Sequence, residues 1–272
     1  MMNVSYIRNC FCPNLHFMYP EYSFIDRFSA AANDGFSNIE FCFAYDHGLD
    51  AISKALEDNK LSLISFNFPS GELFPGKIRG LAGLPGSEHL FDEQIAQGLQ
   101  WAKALDCGQA IAPLACIVPD SLDAERCLES YIKNISRAAR SAELENITLL
   151  IEPNNNIEHP GYLLNFMDQC RHVVEKVNSP NVGLLFDTYH TQIMEGDLTT
   201  NFVRHHQYIR HIQIGNVPGR HDTNCGEINH DYLFKKFEDY NYLGWIAGEY
   251  YPVGDTSAGL DWLVNSDENS QK

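Results

Sequence analysis

A barrel of eight parallel strands and their return helices, a (β/α)8 fold of the α/β class, is the architecture the sequence predicts, and three observations predict it. Eight short apolar runs alternate with amphipathic stretches from one end of the 272-residue chain to the other. The runs are almost continuously apolar, as parallel strands covered on both faces must be. Eight βα units in about 250 residues is the dimension of such a barrel. No Pro/Gly/Ser-rich linker or composition shift divides the chain. Residues 1–263 are therefore expected to form one barrel domain, and the polar residues 264–272 a frayed C-terminal tail.

The strand candidates, in order, are SYIRNCF (5–11), NIEFCF (38–43), LSLISFNF (61–68), QAIAPLA (109–115), ITLLIEP (147–153), VGLLFDTYH (182–190), IRHIQIG (209–215) and GWIAGEYYP (244–252). After the first, SFIDRFSAAANDG reads as a helix with Ser23 as its cap and Gly35 as the glycine just past its end. After the third comes a segment too long for a βα turn, residues 69–86, with five Gly and three Pro. Loops of that length in compact domains are usually lids, binding loops or disordered. Following a strand, it would lie over the C-terminal face, where active sites of this fold sit. Phe74, Ile78 and Leu81 suit a solvated loop poorly and favour a lid. Helices follow at 88–108, at 123–146 and at 229–244. In the second of these Leu128, Tyr131, Ile132, Ile135 and Ala139 form one stripe, with Glu, Lys and Arg opposite.

Carboxylates outnumber Lys and Arg by 36 to 19, a net charge of −17. Such a field repels phosphates and anionic lipid surfaces, so nucleic acid and membrane are not expected as partners. Residues 1–11 lack the pattern of a signal peptide, and no apolar run approaches ~18 residues. The eight dispersed cysteines show no CxxC or finger spacing and read as reduced thiols of a cytoplasmic protein.

The chemistry gathers at the ends of the last four strands. Glu152 closes the fifth, Asp187 and His190 the sixth, Gln213 lies on the seventh and Glu249 on the eighth; Glu152, Asp187, Gln213 and Glu249 are spaced by 35, 26 and 36 residues. Parallel strands of a barrel run the same way, so these side chains should converge. Three carboxylates and an amide oxygen suit a hard divalent cation, Mg2+ or Mn2+ best, with Co2+ also compatible. One acid at a strand end is more often a solvated rim residue, but four donors in sequence at unit spacing make a site the better reading. His211 shares the face of Gln213 one layer deeper. Arg220, in a Gly/Pro/Asn loop after strand seven, suits an anionic group on a substrate, or else pairs with Asp222 in solvent.

These residues lie in stretches that resemble the hydroxypyruvate isomerase family, among the xylose isomerase-like TIM barrels. The resemblance runs through FNFPSGE, RGLAGLPG, LLIEPNN, FDTYHTQIMEGDL, HIQIGNVPGR, GEINHDYLF and GWIAGEY and covers nearly the whole chain. It implies a metal held by Glu152, Asp187, Gln213 and Glu249, with Glu152 and Glu249 moving protons. It implies His190 and Arg220 as substrate-binding residues; similarity to the related ketose epimerases adds Glu158, and Asn67 is a further substrate-binding candidate. It also implies an aldose–ketose type isomerase that converts hydroxypyruvate to tartronate semialdehyde through an enediolate. Two departures stand out: the family's EYKP reads EYYP, with Tyr251 for lysine, and HDTNCGEIN replaces EPGTGEIN. A lysine that assists an anionic substrate would be missing, which leaves a 2-oxo-tetronate isomerase or a ketose 3-epimerase as rival readings of the same site. A zinc-dependent abasic-site endonuclease would need many His ligands and a basic face. A catalytically silent sugar-acid binding barrel is the rival of another class. The expected partner is a small hydroxy-oxo acid or sugar, and exposed apolar loop residues leave room for a homo-oligomer.

Overall fold

The computed structural model describes residues 4–69, 80–111 and 114–264. The strands are β1 (Phe11–Pro13), β2 (Asn38–Glu40), β3 (Ser62–Ser65), β4 (Gln109–Ile111), β5 (Thr148–Ile151), β6 (Val182–Asp187), β7 (Ile209–Ile214) and β8 (Trp245–Gly248). The helices are α1 (Val4–Cys10), α2 (Asp26–Asn33), α3 (Leu49–Asn59), α4 (Glu88–Ala104), α5 (Ala124–Leu144), α6 (Met167–Val177), α7 (Thr188–Met194), α8 (Leu198–His205), α9 (His230–Asp239) and α10 (Asp261–Val264). All strand pairs are parallel: β1-β8-β7-β6-β5-β4 form one ladder and β2-β3 another. Parallel bridges Asn14–Glu40 and Asn67–Ile111 join the two ladders at both seams and close the ring. It is the (β/α)8 barrel that the strand count led one to expect.

Side-chain alternation decides what faces the axis. Ile39, Phe41, Leu149, Ile151, Leu184, Phe186, Ile212, Ile214 and Ile246 belong to the large cluster that packs strands on helices. With a period of two, their neighbours point inward. Ile111, Leu150 and Leu185 form a small separate apolar plug. Further along the same inward rows come Glu40, Glu152, Asp187, Gln213 and Glu249. The barrel is thus filled with hydrocarbon lower down and with carboxylate and amide above it, at the C-terminal ends of the strands.

The helices supply the outer shell in the ordinary amphipathic way. In α5 the side chains of Cys127, Tyr131, Ile135, Ala138, Ala139 and Ala142 are buried, and Asp123 caps the helix by accepting from Arg126 N at 2.8 Å. At the end of α2, Gly35 takes φ +88°, and Phe36 N donates to Ala31 O at 3.1 Å, the glycine-terminated stop expected there. Its start differs from expectation: the capping position is Ile25, and Ser23 donates its hydroxyl to Asp26 Oδ2 at 2.5 Å.

Two further readings need correction. Residues 5–10 are helical, and only Phe11 of that run enters a strand. Ile7 is buried with Tyr6 and Cys10 partly so, a one-sided i, i+3, i+4 spacing that a strand would split between two faces. The segment read as a lid is, from Gly80 onward, part of the body. Leu81 and Ala82 are core residues, Gly83 N donates to Ala115 O at 2.6 Å, and Asn134 Nδ2 donates to Ala82 O at 2.8 Å. Phe74 and Ile78 lie outside the described residues, as does the tail from 265 on. Val264 closes the one-turn helix α10. Among the described residues no helix is long and apolar enough to cross a membrane.

Packing between α4 and β3's continuation is tight enough to test. A Cβ on Gly98 would lie 2.6 Å from Cγ of the buried Phe68 ring. Helix propensity favours Ala over Gly by about 1 kcal/mol. Overpacking a fixed core ring costs about 1–3 kcal/mol. Gly98→Ala is expected to lower stability to denaturant, and an increase would show that Phe68 moves freely.

Candidate active site

Two of the four strand-end donors, Asp187 and Glu249, meet on one basic side chain. Arg220 leaves the β7–α9 loop at φ +56° and passes under the rim, where Gly215 makes room: a Cβ there would sit 3.0 Å from Arg220 Cγ and 2.9 Å from Glu249 O. Its Nη2 donates to Asp187 Oδ2 at 2.7 Å and Glu249 Oε1 at 2.6 Å, and its Nε to Glu249 O at 3.0 Å. The guanidinium lies between the rings of Phe17, 4.7 Å away, and Tyr189, 4.9 Å away. The reading of Arg220 as a solvent-facing partner of Asp222 is therefore replaced: it is buried, and Asp222 accepts from Val253 N instead, while Arg220 still lines the cavity.

Burial sets the proton affinities. It pushes Glu152 up to about 8, with the neighbouring Asp187 charge adding to the rise. Burial likewise raises Glu249 well above the usual range, against the pull of Arg220. Asp187 is raised by burial too, though Arg220 and the N–H groups of His190 and Tyr189 favour its charged form. As cap of α7 it accepts from Tyr189 N at 2.6 Å and His190 N at 3.1 Å. Burial would lower Arg220, but Glu249 and Asp187 carry it above its ordinary value.

His190 Nε2 stands 3.9 Å from Glu152 Oε1 and 3.8 Å from Asp187 Oδ2, and these three residues bring one ligand atom each within 4.8 Å of the others. The ring's other nitrogen decides its part. Asn155 N, a backbone N–H and so always a donor, reaches His190 Nδ1 at 3.2 Å. Nδ1 must then accept, and Nε2 carries the hydrogen. Burial, then Arg220, lowers His190 well below its usual value, so it is neutral near pH 7. It offers N–H to the cavity and no lone pair to a cation.

Glu158 joins the rim of the site. It accepts from Tyr189 Oη at 2.9 Å and Asn155 Nδ2 at 3.0 Å, and these bonds hold it below the usual carboxylate range despite the opposing effect of burial. Asn67 brings an unpartnered Oδ1. Glu152, Glu158, His190, Arg220, Glu249 and Asn67 all line one cavity of about 910 Å3, whose outer wall includes His16, Phe17 and Tyr251. Tyr251 is 49% exposed and packs on Phe17 with ring centres 5.0 Å apart.

Gln213 sits beside Asp187 in register, its Nε2 donating to Glu40 Oε1 at 2.5 Å. Its Oε1 is buried without a partner among the described residues. An unbonded buried oxygen costs about 1–3 kcal/mol, which coordination of a cation removes. The donor set therefore fits a hard divalent cation. Sequence reasoning missed Glu40, Asn155 and the Tyr189 hydroxyl. Glu40 was hidden inside an apolar run, and an odd carboxylate in a buried strand was the available signal.

The xylose isomerase-like TIM barrel family model matches residues 28–266. The chain belongs to that family. It is 41% identical over 253 residues to a 2-oxo-tetronate isomerase of Cupriavidus necator, covering 93% of this chain and 96% of that one. It is 37% identical to the hydroxypyruvate isomerase of Escherichia coli, covering 93% and 97%. A solved structure described as AP endonuclease, family 2, from Brucella melitensis superposes with a TM-score of 0.89 at 38% identity, covering 93% of this chain and 97% of that one. By these relatives the chain is an isomerase acting on a small substrate.

Beneath the site, His230 anchors α9 by donating from Nδ1 to Thr223 O at 3.0 Å, with Nε2 3.4 Å from Thr188 Oγ1. Burial lowers it from its usual 6.5 to about 4. Above pH 6.5 neither folded nor unfolded chain protonates it. As pH falls from 6.5 through 4, the unfolded chain takes up a proton that the folded one refuses, and stability falls by an amount on the order of 3 kcal/mol. His190 and His205, also lowered by burial, add the same sign. Denaturant unfolding between pH 7 and 4.5 should show this loss, and His230→Gln should make the slope shallower; an unchanged slope would locate the effect elsewhere.

Proposed function

We propose that the chain is a metal-assisted aldose–ketose type isomerase that converts hydroxypyruvate to tartronate semialdehyde. The observation that carries this is the buried Gln213 Oε1, without a partner among the described residues and in register beside Asp187, with Glu152 and Glu249 on the wall of an open cavity. Glu152, Asp187, Gln213 and Glu249 would hold Mg2+ or Mn2+, with Co2+ as a substitute. Bound there, the cation supplies Lewis-acid stabilisation of negative charge developing on the substrate oxygens.

The remaining chemistry belongs to the chain. One glutamate removes the proton from C3, leaving an enediolate, and the pair returns a proton to C2. The hydroxyl proton passes from the C3 oxygen to the C2 oxygen, so that no atom is gained or lost. A carboxyl raised to about 8 is matched to this task, because a group poised near the working pH both takes and gives a proton readily. His190 Nε2–H and the Arg220 guanidinium place donors where oxygen charge builds. Glu158 and Asn67 are assigned to the substrate hydroxyls. The residues from Met1 to Leu263 act in this reading as one catalytic domain. Its setting is a reducing cytoplasm, in keeping with the eight cysteines all being free. A net charge of −17 favours a small molecule over nucleic acid.

A second reading, isomerisation of a 2-oxo-tetronate on the same site, is favoured by two observations. The 41% relative bears that name, and the rim carries Tyr251 where a lysine would meet a shorter acid's carboxylate. Turnover of metal-stripped protein, with Mg2+, Mn2+ or Co2+ restored, separates the readings when hydroxypyruvate, a 2-oxo-tetronate and a ketose are compared. Metal-dependent loss of hydroxypyruvate is expected. Activity on the tetronate or the ketose alone moves the substrate to that compound, and binding without turnover of any points to a silent sugar-acid binder. Glu152→Gln should reduce turnover about 10²–10⁴-fold while Mn2+ binding is only weakened. Near-normal turnover in that variant would remove Glu152 from the proton path.

A further inference from the structure

Glu40 ends β2 with 1% of its side chain exposed. No Lys or Arg among the described residues bonds to it. Its Oε1 accepts from Asn14 Nδ2 at 2.7 Å and from Gln213 Nε2 at 2.5 Å, and its Oε2 lies 2.5 Å from His211 Nε2. A buried carboxylate is expensive, and an apolar residue would fill the same space at lower cost. Its position is explained by what it does to an amide.

The two ends of a glutamine amide are nearly equal in size and opposite in polarity. With Oε1 toward the carboxylates of Asp187 and Glu249, Gln213 would help hold a cation; with Nε2 there it would repel one. The chain of bonds leaves one choice. His16 N, a backbone donor, reaches Asn14 Oδ1 at 2.9 Å, so Asn14 turns its Nδ2 toward Glu40. Glu40 accepts from it and, through the same oxygen, from Gln213 Nε2. Reversed, Gln213 would press one acceptor against another at 2.5 Å. Gln213 Oε1 is consequently left pointing away from Glu40, buried and unpartnered. His211, on the same inward row as Gln213, steadies the second carboxylate oxygen.

We propose that Glu40 is a positioning residue, which sets the polarity of the Gln213 amide so that its oxygen is delivered to the divalent cation. This rests on the metal reading above, and the test keeps the two apart. Mn2+ is titrated into metal-stripped protein and free Mn2+ is read by electron paramagnetic resonance, without turnover. Glu40→Gln keeps the volume and removes the all-acceptor character; Mn2+ affinity should fall about 10- to 100-fold. The exchange E40Q/Q213E reverses donor and acceptor but still turns an oxygen to the cation, and it should regain about tenfold or more over E40Q. A parent chain that binds no Mn2+ overturns the metal reading and this role with it. A parent that binds Mn2+, with folded E40Q within twofold of it, overturns the role of Glu40 alone, as does an equal loss in E40Q and the exchange. Where E40Q does not fold, the exchange decides: Mn2+ affinity near the parent's supports the role, and a folded exchange variant without Mn2+ binding overturns it.

Discussion

One guanidinium holds the acidic end of this barrel together. Asp187, Glu249 and Glu152 come from the ends of three different strands, Asp187 and Glu249 buried and Glu152 largely so, where like charges repel and water is scarce. Arg220 places a single delocalised charge against two of them and covers both of its faces with aromatic rings. Removing one member of such a buried pair typically costs about 3–5 kcal/mol, because the partner is left charged and unpaired. The surrounding backbone obeys this requirement. Gly215 has no side chain because Arg220 needs the space, Arg220 itself takes φ +56°, and the rings of Phe17 and Tyr189 both pack on its guanidinium.

The same constraint explains why the inward rows of the strands change character along their length. Near the middle of the barrel Ile111, Leu150 and Leu185 fill the axis with hydrocarbon, as a structure with no lumen must. One or two positions on, those rows become Glu152 and Asp187. A carboxylate placed among Ile111, Leu150 and Leu185 would lie against hydrocarbon, and its desolvation would go largely uncompensated. Above the apolar plug Asp187 and Glu249 accept from Arg220, and Glu152 and Glu249 line the cavity of about 910 Å3.

Much of this was legible from spacing alone, because a period of two and a repeat of one βα unit are properties of the chain. Seven of the eight apolar runs are strands in the order expected, and the acids at their ends share one face. The first run failed because a short apolar segment satisfies helix and strand alike until its burial is seen to be one-sided. The lid reading failed at Leu81 for a related reason: apolar residues in a Gly/Pro-rich stretch signal burial without saying under what. Arg220 was seen but misplaced, since a loop position does not reveal which way a long side chain turns. Glu40 was missed altogether. It meets its partner His211 across 171 residues of sequence, and that meeting exists only once the ring of strands is closed.

Two side chains here have a polarity that their shape does not determine, the Gln213 amide and the His190 imidazole. Both are resolved in the same way, by tracing their bonds back to a backbone N–H, the one donor that no rotamer or protonation can reverse. His16 N fixes Asn14, then Glu40, then Gln213, and the last atom in that chain is an oxygen. Asn155 N fixes His190 Nδ1 as acceptor, and the last atom there is a hydrogen on Nε2. The site thus presents a buried acceptor suited to a cation and, on the cavity wall, a donor suited to a substrate oxygen, each in a fixed role. Preorganised dipoles of this kind need no reorientation when charge moves, which is the property an isomerase site requires if proton transfer between two carbons is to be its only large event.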